Sequence, residues 1–141
     1  MSDARRFAIR VRVYYEDTDA GGIVYHATYL RWMERARTDW LRALGERHGE
    51  LESAGLQFVV SELAIRYRRP ARLDELLEVD LEVAELRRAS LRLAQRTRRA
   101  PDGPQAGETL TDADVRVAVM DRRTGRPAAL PRRLLDTLGA P

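Results

Sequence analysis

Residues 14–37 read YYEDTDAGGIVYHATYLRWMERAR, and a change of pattern inside them decides the fold. Just upstream and overlapping, IRVRVYY (9–15) alternates apolar and polar residues. Ile9, Val11, Val13 and Tyr15 then share one face of a half-buried strand. From Tyr29 the period lengthens. Tyr29, Met33, Ala36, Trp40 and Leu44 recur at spacings of three and four, which is one face of a helix. Thr28 is the expected N-cap, and Gly45 or Gly49 the expected stop. A helix over 28–47 would be roughly 30 Å long. Its apolar stripe is wide enough to need a broad partner, such as a sheet.

The rest of the chain supplies that sheet. In FVVSELAIRYRR the period returns to two, with Val59, Ser61, Leu63, Ile65 and Tyr67 on one side. LLEVDLEVAEL sets Leu77, Val79, Leu81 and Val83 against Glu78, Asp80 and Glu82, and RRAS then reads as a hairpin connection. SLRLAQRT follows with Leu91, Leu93, Gln95 and Thr97, and TDADVRVAVMD places Ala113, Val115, Val117 and Val119 on one face. Between them APDGPQAG (100–107) is a loop, RRTGRP is a turn, and LPRRLLDTL is a short terminal helix. The expected order is strand, long helix, four strands in a meander, short helix: an α+β domain with the helix across one sheet face. No repeat or linker divides the chain, so residues 1–141 are expected to form a single domain.

Composition narrows the chemistry. There is no cysteine, which removes disulfides, thiol nucleophiles and Cys-based zinc sites. With only His26 and His48, a His-rich metal centre is not expected. All 25 basic residues are arginine, so Schiff-base chemistry on lysine is excluded. A net charge of +3 alone suits nucleic acid, but the arginines alternate with Asp and Glu, as in LRRASLRLAQRTRR facing LEVDLEVAEL. That is the pattern of charge pairing on a sheet face, so no nucleic-acid partner is expected. No apolar run is long enough for membrane insertion, and MSDARRFAIR lacks the apolar core of a secretory signal, so a cytoplasmic setting is expected.

The quoted stretch joins the first strand to the long helix. Glu16, Asp17 and Asp19 sit where strand pairing ends, and Gly21 and Gly22 permit positive φ and close approach to a ligand. The chain then enters a helix N-terminus, where free amides and the dipole favour a developing oxyanion. A carboxylate there can act as general base or nucleophile. These are the minimum parts of an acyl-transfer or hydrolase site without Ser or Cys. The residues alone do not choose among the three acids.

VRVYYEDTDAGGIVYHATYLRWMERAR resembles the signature of hot dog fold acyl-CoA thioesterases of the 4-hydroxybenzoyl-CoA thioesterase family, and is most similar to the Tol–Pal-associated branch of Gram-negative bacteria. FVVSELAIRYRRPARLDELLEV and the late ALP also match that branch, and only the loop around APDGPQAG departs from it. The resemblance implies an antiparallel sheet wrapped around one long central helix. It implies hydrolysis of the thioester of an acyl-CoA, or of an acyl carrier protein, without metal or cofactor. The second Asp of the D-x-D unit, Asp19, would be the catalytic carboxylate. The backbone near His26 would polarise the carbonyl, and the His26 side chain would orient Asp19, water or substrate. Gly21, Gly22, Tyr25 and Tyr29 would contact substrate. Asp17 and Glu16 are expected to be structural or solvated, and Glu34, on the helix, to be salt-bridged beside Arg35 and Arg37. The resemblance also implies a homodimer or homotetramer. Competing expectations are a hydratase or dehydratase using a His26–Asp19 pair, and a non-catalytic acyl-CoA or acyl-carrier-protein binding module.

Overall fold

The period-3.6 face forms a helix, α1 (Thr28–Ala43), which buries Tyr29, Trp32, Met33, Ala36, Trp40 and Leu41 on one side. The computed structural model describes residues 3–46, 48–103 and 105–139, and the side chain of His48 lies outside the described residues. The expected cap and length of α1 are corrected, while Gly45, one of the two expected stops, does end it. Thr28 is not the cap: it is the first helical residue and is buried, and Ala27 precedes it with no side-chain cap. A turn from Tyr25 leads in, Thr28 N donating to Tyr25 O at 2.9 Å. The helix stops at Ala43 rather than 47. Gly45 takes φ +92°, Gly45 N donates to Arg42 O (3.0 Å) and Glu46 N to Leu41 O (2.8 Å). That pair of bonds is a Schellman motif, which closes the last carbonyls and turns the chain away.

Five strands follow the period-two runs: β1 (Arg6–Arg12), β2 (Leu56–Tyr67), β3 (Leu76–Leu86), β4 (Ser90–Arg99) and β5 (Thr109–Asp121). A short helix α2 (His48–Ser53) precedes β2, and α3 (Arg132–Leu138) closes the chain. All pairings are antiparallel, in the order β1-β3-β4-β5-β2. The expected four-strand meander is therefore corrected. Only β3, β4 and β5 are joined as neighbours, while β2 pairs with β5 at the far edge. The connection 68–75 must then cross the end of the sheet. It leaves β2 beside β5, where the amides of Arg68 and Arg69 both reach Leu110 O, and arrives at β3 beside Val13.

The alternation read for β3, β4 and β5 holds. Leu77, Val79, Leu81, Val83, Leu91, Leu93, Val115, Val117 and Val119 are buried beneath α1. Gln95 is buried with them and ties the layers together: its amide donates to Met33 O (3.2 Å) and its oxygen accepts from Arg37 (2.9 Å). On the other face Arg96 meets Asp80 (3.2 Å), Arg98 meets Glu78 (3.4 Å) and Arg6 meets Glu82 (3.5 Å), the charge pairing expected of that face.

Two strand readings are corrected. β1 ends at Arg12, and Tyr15 lies in a 3₁₀ turn (Tyr15–Asp17) with 83% of its surface exposed. In β2 the register slips between Val60 and Glu62. The extra residue, Ser61, is a β-bulge. It puts Phe58 and Val60, opposite Val119 and Val117, on the face of Leu63 and Ile65, in place of Val59 and Ser61. No helix among the described residues is long and apolar enough to cross a membrane.

Candidate active site

Where β1 ends, the backbone gives the three acids different work. Asp17 closes the 3₁₀ turn on Tyr14: its Oδ2 accepts from Tyr14 N (2.8 Å), and its own N–H donates to Tyr14 O (2.9 Å). Its carbonyl accepts from Tyr25 N at 2.9 Å. Glu16 is exposed and has no ion pair among the described residues. Asp19 begins a tight turn, Gly22 N donating to Asp19 O (3.0 Å) and Asp19 N to Ile23 O (2.9 Å). Gly22 sits at φ +81°, where a side chain would strain the turn. Of the Gly pair only Gly22 needs this freedom; Gly21 serves by its small size and its amide. Gly21 N donates to Asp19 Oδ1 (2.8 Å), and a Cβ at position 21 would come within 3.2 Å of that oxygen. The carboxylate is thus held by one oxygen, while Oδ2 has no hydrogen bond among the described residues.

The return limb of the turn leads into α1. Thr18 bridges Val24, Ile23 bridges Arg72, and Val24 N donates to Ala71 O (2.9 Å). Beyond Val24, Tyr25 and His26 point outward with ring centroids 4.5 Å apart. Tyr67, from the end of β2, donates to His26 O (2.9 Å) and meets the imidazole edge-on at 6.3 Å. Tyr29, in the first turn of α1, is buried against Trp32 (5.4 Å) and Tyr67 (5.7 Å). The amides of His26 and Ala27, just before α1, have no partner among the described residues, so this helix start keeps donors free for an anion.

His26, Tyr29 and Tyr67 line one cavity of about 280 Å³, together with Ile23, Val24 and Pro70. Burial pushes the Tyr29 hydroxyl above its ordinary pKa, with a smaller opposing effect from the Ala71 amide. It stays protonated near neutral pH. Its oxygen accepts from Ala71 N (3.1 Å), which leaves the O–H free to donate. Burial also raises the pKa of Tyr67. Of the residues singled out in the sequence, His26 and Tyr29 meet in this cavity. Asp19, Gly21, Gly22 and Tyr25 form the adjoining turn and limb and do not line it.

Glu34 departs from its expected salt bridge. It has no ion pair among the described residues and stands at the mouth of a second, apolar cavity between α1 and Phe58, Val60 and Leu93. Tyr67 and Ala71 were not singled out. Their only signal was position: Tyr67 ends an apolar run just before Pro70, and Ala71 follows that proline.

The family model of the thioesterase-like superfamily matches residues 13–138 of the chain. The acyl-CoA thioesterase YbgC of Haemophilus influenzae is 46% identical over 127 residues, which are 89% of each chain. The acyl-CoA thioester hydrolase YbgC of Escherichia coli O6:H1 is 42% identical over 125 residues, covering 89% of this chain and 90% of that one. The crystal structure of a 1,4-dihydroxy-2-naphthoyl-CoA thioesterase from Synechocystis superposes with a TM-score of 0.85, covering 95% of this chain and 96% of that one at 20% identity. At that identity the likeness speaks for the fold, which is the expected hot dog arrangement.

Proposed function

The chain belongs to the thioesterase-like superfamily, and on that premise we infer that it hydrolyses the thioester of an acyl-CoA to a free acid and a thiol. The observation that carries the proposal is the Asp19 turn. One carboxylate oxygen is fixed by the Gly21 amide, the other has no hydrogen bond among the described residues, and the turn is bridged to the chain that starts α1.

Asp19 is the catalytic carboxylate in this proposal. Its free oxygen either attacks the thioester carbon, expelling the thiolate and leaving a mixed anhydride that water cleaves, or takes a proton from the water that attacks directly. Either route ends in the carboxylic acid and the thiol. The oxyanion of the tetrahedral intermediate is met by the amides of His26 and Ala27. Gly21 and Gly22 keep the turn narrow enough for the thioester to approach. Tyr29 and His26 line the substrate cavity, the Tyr29 hydroxyl as a donor, and Tyr25 stands at its edge. Coenzyme A is the proposed carrier of the acyl group, with acyl carrier protein as the alternative.

The finer placement is also proposed: one hot dog domain over 1–141, in the Tol–Pal-associated branch, working in a bacterial cytoplasm. A homodimer or homotetramer is proposed on the exposed edge of the sheet. β2 has no outer neighbour among the described residues, and Val60 and Tyr67 are each 46% exposed along it. An apolar unpaired edge of this kind calls for cover. Sedimentation equilibrium is expected to give two or four times the 16.1 kDa chain mass. A monomer at micromolar concentration would contradict this part.

The activity is tested by thiol release from acyl-CoAs of increasing chain length and one aromatic ester, with no added metal or cofactor. Turnover of at least one is expected. Tight acyl-CoA binding without thiol release would favour the binding module instead. Hydration of crotonyl-CoA without thiol release would favour the hydratase.

A further inference from the structure

One guanidinium outside the site grips the segment that supports it. Arg99, the last residue of β4, has a side chain only 12% exposed, and three partners converge on it. It forms an ion pair with Glu75, meets Glu108 Oε1 at 2.8 Å through Nε, and reaches Pro70 O at 3.4 Å through Nη2. The two carboxylates pass the hold onward. Glu75 Oε1 accepts from Arg72 N (2.8 Å), and Glu108 Oε2 pairs with Arg69 Nε (3.4 Å). The connection 69–72 is therefore fastened at Arg69, Pro70 and Arg72.

Between those points lies Ala71, which is fully buried. Its N–H donates to the Tyr29 hydroxyl and its carbonyl accepts from Val24 N. Its neighbour Arg72 bridges Ile23, whose carbonyl takes the Asp19 amide. A short chain of bonds thus runs from Arg99 through Ala71 to both halves of the candidate site. Stability alone is a weak reason for such a cluster, because desolvating one arginine and two carboxylates offsets much of their attraction. Fixing a geometry is a better one.

We propose that Arg99, with Glu75 and Glu108, is a positioning residue for thioester hydrolysis. It sets Ala71 so that the Tyr29 hydroxyl and the Ile23–His26 limb stand where the reaction needs them. The inference rests on the thioesterase reading above. Arg99 touches no substrate in this role and acts through Tyr29 and Val24.

The test is steady-state kinetics of Arg99→Gln, Tyr29→Phe and the double variant, with folding followed by circular dichroism. Arg99→Gln is expected to lower kcat about tenfold or more, as displacements near 1 Å do, while KM for the acyl-CoA stays within about threefold. Arg99→Lys is expected to fall between, since an ammonium keeps the charge but not the planar reach to three partners. In the Tyr29→Phe background the Arg99→Gln loss is expected to shrink at least threefold, roughly the coupling of residues that act as a unit. Wild-type kcat in a folded Arg99→Gln protein, or an equal fold loss in both backgrounds, would overturn the proposal. If Arg99→Gln does not fold, Glu108→Gln loosens the same grip while leaving the Arg99–Glu75 pair, and the same coupling decides. A wild-type protein that releases no thiol would sink the thioesterase reading itself. An active wild type with an indifferent Arg99 would sink only this inference.

Discussion

Replacing Trp40 with alanine is expected to lower the free energy of unfolding by about 3–5 kcal/mol, the range for losing a large aromatic side chain from a closed core. Trp40 is almost fully buried in the second half of α1. Its indole Nε1 donates to Ala4 O at 2.7 Å, so it also ties the start of the chain to the helix. Alanine removes the packing and leaves that carbonyl without its donor. Phenylalanine keeps most of the packed volume and loses only the hydrogen bond and part of the ring. It is expected to cost less than half as much as alanine. Urea unfolding of the two variants checks this, and a midpoint for Trp40→Ala equal to wild type would contradict the described core.

The second large effect is on rate. Asp19→Asn is expected to lower kcat at least about a hundredfold, the usual scale for losing a general base or nucleophile. Stability should barely change. Asparagine presents the same Oδ1 to the Gly21 amide, so the turn from Asp19 to Ile23 keeps its bonds. What disappears is the negative charge of the carboxylate, and with it either route of attack on the thioester. A loss in kcat with an unchanged unfolding midpoint separates chemistry from folding.

The parts of this molecule that follow from local periodicity were readable in the residues. The helical stripe from Tyr29 to Trp40 and the inward faces of β3, β4 and β5 needed only a count of spacings. Features set by distant partners were not. Nothing near Leu56–Tyr67 says that its neighbour is β5, and the extra residue at Ser61 turns the face of the strand without changing its composition. Gly45 was readable as a stop, but the exact helix end was not, because it is set by bonds from Gly45 N to Arg42 O and from Glu46 N to Leu41 O. In the site the balance is similar. The acids and glycines of 16–22 were visible as a group, and the family resemblance, rather than spacing, singled out Asp19. Geometry then explains what sets Asp17 apart, since its carboxylate is occupied by the Tyr14 amide. Tyr67, Ala71 and Arg99 were out of reach because their part depends on a connection that crosses the sheet end, far in sequence from residues 14–37.

The most direct test compares thiol release by Glu16→Gln, Asp17→Asn and Asp19→Asn at one saturating acyl-CoA concentration, beside the wild-type protein. Glu16→Gln should stay within about twofold of wild type, as solvated surface carboxylates do. Asp17→Asn should keep most of the activity, because its amide oxygen can still cap Tyr14. Asp19→Asn alone should fall by about two orders of magnitude or more. A folded Asp19→Asn protein that turns over at the wild-type rate would contradict the assignment of this turn as the catalytic centre.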